Sequence, residues 1–286
     1  MYAITGITGK VGGEAAKALL SRGHKVRAVM RDAGKAAQWA RQGCEIAIAE
    51  MNDAAALAEA FRKTAGVFIL PPPVFDPEPG YPEARNVAQA VAKALEDAGP
   101  AKVVHLSTIG GDATEDNLLS QQTIVEKALA EIDLPVTTLR AGWFMDNAAW
   151  DVPSAREGVL YSFLQPPEKA FAMVASQDVG RTVAELLQND WAGHRLVELE
   201  GPRRVSPNDL AEAFAAALGK PVKIETIARG TWEELFRSQG MKNPMPRIRM
   251  LDGFNDGWIA FRDDGAHARK ASTDIRQVIA SLVANA

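Results

Sequence analysis

At 286 residues the chain suits one large α/β unit with an appendage, and its 47% hydrophobic and 24% charged composition excludes a disordered or collagen-like protein. Thirty-two basic against 36 acidic side chains leave a formal charge of −4, which offers no footprint for nucleic acid. The one cysteine, Cys44, has no disulfide partner within the chain, no apolar run approaches the ~20 residues that span a bilayer, and the N-terminus lacks a secretory pattern, so a cytoplasmic protein is expected.

Tyr2-Ala3-Ile4-Thr5 is a short apolar run that ends in Gly6-Ile7-Thr8-Gly9-Lys10-Val11-Gly12-Gly13. Helical spacing follows from about Val11 to Leu20, and Gly23 closes it as a helix C-cap would. A second strand is predicted over Lys25–Met30. The alternation then repeats: helix 34–42, strand 44–49, helix 53–62, strand 66–70, helix 82–98, strand 102–107, helix 117–131 and strand 135–140. Strands separated by helices of about ten residues or more predict right-handed βαβ units and a parallel sheet. The strands are short and nearly all apolar, as in Val67-Phe68-Ile69-Leu70, which fits a doubly wound sheet covered on both faces.

The regularity breaks near Trp150. One strand is expected around 170–174, a helix over 177–189, a strand at Leu196–Leu199, a helix from the Ser206 N-cap to Ala217, and a strand at Val222–Ile224. Asn243 to Arg249, with two prolines, reads as a loop. The expected division is a dinucleotide-binding (Rossmann) domain over 1–150, joined by elements from 176–200, and a smaller mixed α+β C-terminal domain over 151–286 that binds substrate.

Gly6, Gly9 and Gly12 sit between the first strand and the first helix, the context that a dinucleotide fingerprint requires. One glycine permits the tight turn, another lets the backbone approach a pyrophosphate, and the third lets helix pack against strand. The helix N-terminus then offers unpaired N–H groups to the phosphates. A phosphate-loop reading fails, because Lys10 is not followed by Ser or Thr. The second strand runs out at Met30 into Arg31-Asp32, with Lys35 one turn on. Arg31 comes first and favours NADP over NAD, since an arginine accommodates a 2′-phosphate; the rival reading gives Asp32 the ribose.

These residues resemble the atypical short-chain dehydrogenases, and within them the NmrA-like group. Gly6-Ile7-Thr8-Gly9-Lys10-Val11-Gly12 is similar to its glycine turn, and Val26-Arg27-Ala28-Val29-Met30-Arg31 to its second strand. Leu106–Gly110, Leu139-Arg140-Ala141-Gly142-Trp143-Phe144-Met145-Asp146-Asn147, Gln177–Arg181 and Leu199–Pro202 resemble later signatures. The likeness covers nearly the whole chain and fades between 228 and 270. It implies an NADPH-dependent reductase of quinone-reductase or azoreductase kind, with the cofactor held by Gly6, Thr8, Gly9, Lys10, Val11, Gly12, Arg31, Lys35, Met51, Asn52, Leu70, Pro71, Pro72, Gln122, Gly142, Trp143 and Phe144.

Ordinary short-chain dehydrogenases pair a Tyr with a Lys four residues later, and none of the three tyrosines has one. The NmrA-like pattern places Lys or His four residues before Glu126; here that residue is Gln122, which can hydrogen-bond a nicotinamide ribose but cannot act as a general acid. The catalytic candidates are therefore Ser107, Thr108 and Gln122, the first two also readable as polar residues closing a strand. Hydride transfer to a quinone or azo compound needs less help, because protonation can come from water. His105 is expected to be a satisfied core residue, and no histidine pair has metal-ligand spacing, so no metal is expected. The expected partner is a small-molecule acceptor, with no membrane, and a homodimer or a regulatory protein partner remains open. A non-catalytic redox sensor that binds dinucleotide is the alternative to the reductase, and an epimerase or dehydratase ranks third.

Overall fold

A computed structural model describes all 286 residues. Twelve strands form: β1 Tyr2–Ile4, β2 Val26–Met30, β3 Glu45–Ile48, β4 Gly66–Ile69, β5 Val103–Thr108, β6 Val136–Ala141, β7 Trp143–Phe144, β8 Val159–Ser162, β9 Met173–Val174, β10 His194–Glu200, β11 Lys223–Thr226 and β12 Arg269–Lys270. The helices are α1 Lys10–Ser21, α2 Ala36–Arg41, α3 Ala54–Phe61, α4 Pro82–Ala98, α5 Ser120–Ala130, α6 Val152–Glu157, α7 Ser176–Gln188, α8 Pro207–Leu218, α9 Trp232–Ser238, α10 Met245–Asp256 and α11 Ile275–Ala284.

Eight strands make one sheet in the order β12-β10-β6-β5-β4-β1-β2-β3, with every pairing parallel. This is the doubly wound arrangement expected of the sequence, and its order reverses between β4 and β1, where a crevice opens at the carboxyl ends. Two apolar cores cover the faces. One contains Leu19, Phe68, Leu106 and Val183 beneath α1 and α7; the other contains Phe61, Ile69, Leu95 and Val125 beneath α3, α4 and α5. A third core, built on Phe214, Trp232, Phe236, Phe254 and Ile279, lies beyond the carboxyl edge. Small parallel pairs, β7 with β9 and β8 with β11, sit there too. No helix is long and apolar enough to cross a membrane.

The structure departs from the sequence reading in the C-terminal half. The segment expected as a loop at 243–249 instead starts α10, with Pro246 in its first turn. Proline is tolerated there because its missing N–H would have had no intrahelical acceptor, and Ile248, Leu251 and Phe254 supply a buried face. α6, β7, β8, α9 and β12 escape prediction because they are short, whereas α11 carries a readable signal, a capping box of Asp274 and Gln277 ahead of the buried Ile275, Val278 and Ile279, that the sequence reading passes over. α5 begins at Ser120 rather than 117, because Asn117 Oδ1 accepts the Leu119 N–H and Ser120 Oγ accepts the Asn117 N–H in a separate turn.

α7 rests on α1 at a contact that only glycine allows. A Cβ on Gly180 would lie 2.6 Å from Glu14 Cβ and 2.7 Å from the Val11 carbonyl oxygen. Gly180→Ala sets two effects against each other. Helix propensity favours alanine by about 1 kcal/mol, while overpacking against backbone costs about 1–3 kcal/mol. The overpacking should win, lowering the urea midpoint; a raised midpoint would mean that the helices can part without loss.

Candidate functional site

The crevice is built outward from Thr5. Its Oγ1 donates to the Phe68 carbonyl at 2.9 Å and accepts the Leu70 N–H at 2.8 Å, clamping the ends of β1 and β4. Gly6 then turns with φ +61, against Leu70, and a side chain at Gly12 would collide with the Gly6 carbonyl. Gly9 donates to Gly6 O at 2.9 Å and is the N-cap of α1, with no side-chain cap and no acidic residue in the first turn. The N–H groups of that turn therefore keep their positive end for an external anion. A Cβ on Gly9 would meet only the Gly6 oxygen, at 3.3 Å, so this face of the turn is open. These features fit a pyrophosphate.

At the end of β2, Arg31 and Lys35 are exposed and enter none of the chain's ion pairs. Asp32 is engaged locally, its Oδ1 capping a 3-10 turn over Ala33–Lys35 by accepting the Gly34 N–H at 2.9 Å. Met51 and Asn52 follow β3, Met51 half-buried against the α3–α4 core and Asn52 exposed in a groove shared with Asn86, Gln89 and Lys93. Leu70, Pro71 and Pro72 leave β4 on the other side of the glycine turn. Lys10 is partly committed, its ammonium 3.3 Å from Asp146, whose second oxygen accepts the Ser176 N–H at 2.7 Å.

The far half of the crevice lies over β5 and β6. Gln122 is half-buried on α5, and four residues before it stands Leu118, a buried core residue that has no proton to give. The Ser107 hydroxyl donates to Glu126, whose carboxylate also accepts Arg140 Nε at 3.0 Å and Nη2 at 2.7 Å. Arg140, 6% exposed, reaches Asp112 at 2.7 Å, and Asp112 in turn holds Arg262 at 2.7 Å. Arg262 and Arg140 together hold the Asp112 carboxyl well below the usual carboxylate range. Thr108 is half-buried with no side-chain bond of its own. Gly142 lets β6 pass close to Ala172, whose oxygen a Cβ would approach to 2.6 Å. The Trp143 ring packs edge-to-face on Phe254 at 5.1 Å, inside the C-terminal core, while Phe144 packs toward the α1–α7 side.

Three features were not foreseen. His105 is core, as expected, but not satisfied: it is fully buried and neither ring nitrogen has a hydrogen-bond partner. Phe75 and Trp150 are 55% and 70% exposed and meet edge-to-face at 6.4 Å, one in the segment after β4 and one after β7. Gln121 holds the first segment through Val74 O, and Asp76 anchors it by accepting the Lys242 and Asn243 N–H groups, each at 2.8 Å. Third, burial pushes the Asp151 carboxyl up to about 6, with no charged partner beside it. Adjacent exposed aromatics could have been suspected from Trp150, but no sequence signal pairs it with Phe75.

Because the folded chain holds the Asp151 proton more tightly than the unfolded chain, stability from this group is complete below pH 4 and is lost as pH rises through about 6. Asp151→Asn keeps the shape without the charge. The variant should match the parent near pH 4 and exceed it by about 2 kcal/mol at pH 7.5, as read from thermal unfolding. A difference that does not change with pH would show that the carboxylate is solvated.

Comparison with known proteins agrees with this architecture. The sequence model of the NmrA-like family matches residues 2–252. Over 247 residues the chain is 27% identical to quinone oxidoreductase 2 of Escherichia coli, covering 84% of this chain and 82% of that protein. Over 250 residues it is 24% identical to the NAD(P)H azoreductase of Xenophilus azovorans, again covering 84% and 82%. The crystal structure of the Escherichia coli NADPH-dependent quinone oxidoreductase complexed with NADPH superposes with a TM-score of 0.73 at 22% identity, covering 99% of this chain and 95% of that one. With the glycine turn, the switch point and most of its length accounted for, the chain belongs to the NmrA-like family.

Proposed function

We propose that this protein is an NADPH-dependent reductase of small, flat, electron-poor acceptors such as quinones. The observation that carries the reading is the pairing of an uncapped α1 N-terminus with Arg31, a cation at the end of β2 that no protein carboxylate neutralises. The glycine turn, from Gly6 through Thr8 to Gly12, holds the pyrophosphate, and Arg31 with Lys35 holds the 2′-phosphate. Met51, Asn52, Leu70, Pro71 and Pro72 flank the adenosine half. Gln122 reaches the nicotinamide ribose, and the Gly142–Phe144 backbone borders the nicotinamide.

When bound, NADPH supplies the hydride. The chain's own residues orient the ring and acceptor, and the tyrosine that serves ordinary short-chain dehydrogenases as proton donor is missing: Leu118 stands in its place, and the Ser107 hydroxyl donates to Glu126. That favours acceptors whose reduced form takes its proton from water. The names of the Escherichia coli and Xenophilus relatives, a quinone oxidoreductase and an azoreductase, support the same class. Phe75 and Trp150, exposed and packed edge-to-face on the segments that follow β4 and β7, offer aromatic faces to a flat acceptor.

Two measurements test the reading. NADPH should bind about tenfold to hundredfold more tightly than NADH in calorimetry, and Arg31→Ala should erase most of that difference, because a charge-assisted phosphate contact contributes roughly 1.5–3 kcal/mol. Equal affinities in the parent would remove the 2′-phosphate assignment. Trp150→Ala should raise KM for a two-ring quinone about threefold to tenfold at unchanged NADPH affinity, the size of one aromatic contact. If the parent binds NADPH yet oxidises none of it with any quinone or azo acceptor, a dinucleotide sensor replaces the reductase.

A further inference from the structure

We infer that His105 is a positioning residue for Gln122: its buried imidazole fixes which end of the Gln122 amide faces the crevice. The inference rests on the reading above that Gln122 meets the nicotinamide ribose. His105 stands on β5, fully buried, between Ile69 of β4 and Thr138 of β6 in register. Neither of its nitrogens is paired, and Gln122 Oε1 is a second buried atom without a partner. Two orphaned polar groups in one region are uncommon, since buried polar atoms are nearly always hydrogen-bonded.

The groups that act on the ring are the Glu126 carboxylate and the Gln122 amide, both from α5. Glu126 is already occupied by Ser107 and Arg140. Gln122 Oε1 is therefore the acceptor left for an imidazole N–H. Burial keeps the imidazole neutral, its pKa pushed down to about 4, so it carries one N–H to donate.

A glutamine amide is nearly symmetric in shape but not in chemistry, with an acceptor at one end and a two-proton donor at the other. Sterics alone do not choose between its two orientations. A donor behind it does, because an N–H of His105 aimed at Gln122 requires the oxygen inward. Gln122 Nε2, which no protein acceptor takes and which is not among the buried atoms, is then the end that meets a ribose oxygen. The imidazole thus turns a neutral side chain into a defined donor at the position where the resemblance places Lys or His.

The test has one readout without ligand and one with it. In ¹⁵N NMR of the ligand-free protein, the His105 ring should show one neutral tautomer from pH 5.5 to 8, with a slowly exchanging N–H. Gln122→Ala should shift that N–H and speed its exchange; an indifferent ring overturns the pairing. For NADPH affinity by calorimetry, His105→Leu and Gln122→Ala should each weaken binding about threefold to tenfold, the effect of one neutral hydrogen bond. The double variant should be no worse than either single, and His105→Asn, which keeps an N–H donor, should remain nearer the parent than His105→Leu. Losses that multiply in the double variant would assign His105 a separate structural role and overturn the positioning. A ring that responds to Gln122→Ala while NADPH affinity does not change would uphold the pairing and overturn the ribose contact.

Discussion

One close approach governs the carboxyl edge of this sheet: α1 leaves β1 so tightly that position 12 has no room for a side chain. The Gly6 carbonyl occupies the place where a Gly12 Cβ would project, and Gly6 itself turns through φ +61 against Leu70. The axis of α1 is fixed by that contact, and with it the direction in which its first N–H groups point. The same closeness recurs on the other side of the helix, where Gly180 of α7 meets Val11 and Ala15 backbone. Glycine-mediated backbone contacts thus join β1, α1 and α7, and β10 follows α7 into the sheet. A bulge anywhere in this stack would misdirect the glycine turn and the first N–H groups of α1.

The second organising element is the run of charges Glu126–Arg140–Asp112–Arg262. Its members come from α5, β6, the segment after β5 and the segment after α10, so it fastens the sheet to the part of the chain that closes over its edge. A buried ion pair contributes little net stability, because desolvation offsets most of the attraction. Its effect here is positional. Arg140 takes both oxygens of Asp112 and of Glu126 in fixed directions, and Ser107 is drawn into the same set. The hydroxyl that strand position alone would nominate for chemistry is thereby committed to structure.

Local pattern made much of the fold legible. Short apolar strands alternating with helices, and three glycines at the first turn, point to the parallel sheet and to the tight β1–α1 turn beside its switch point. Those signals lie within a few residues of one another. What stayed hidden depends on distance in sequence: Arg140 and Glu126 are 14 residues apart and Arg262 reaches Asp112 across 150. α10 was misread because a proline that breaks a helix interior is benign in a first turn. His105 was placed in the core by its apolar neighbours, but whether a buried imidazole finds partners depends on α5, which packs against it from elsewhere in the chain.

The neutrality of Gln122 bears on the direction in which the site is built to work. In the proposed placement of the cofactor, a lysine at this position would set a full positive charge beside a nicotinamide that itself becomes cationic once its hydride is given up. The amide adds no such charge, while the cations proposed to hold the 2′-phosphate, Arg31 and Lys35, stand at the end of β2, on the far side of the glycine turn from β5 and α5. Removing the cation near the ring relieves the oxidised form of a like-charge neighbour and leaves the phosphate contacts intact. The price is the loss of the group that would lower a tyrosine pKa, and Leu118 shows that no tyrosine is there to be tuned. The neutral amide therefore favours hydride donation and neither residue favours carbonyl protonation, which is the balance that suits the proposed acceptor, one that accepts electrons readily and finds its proton in water.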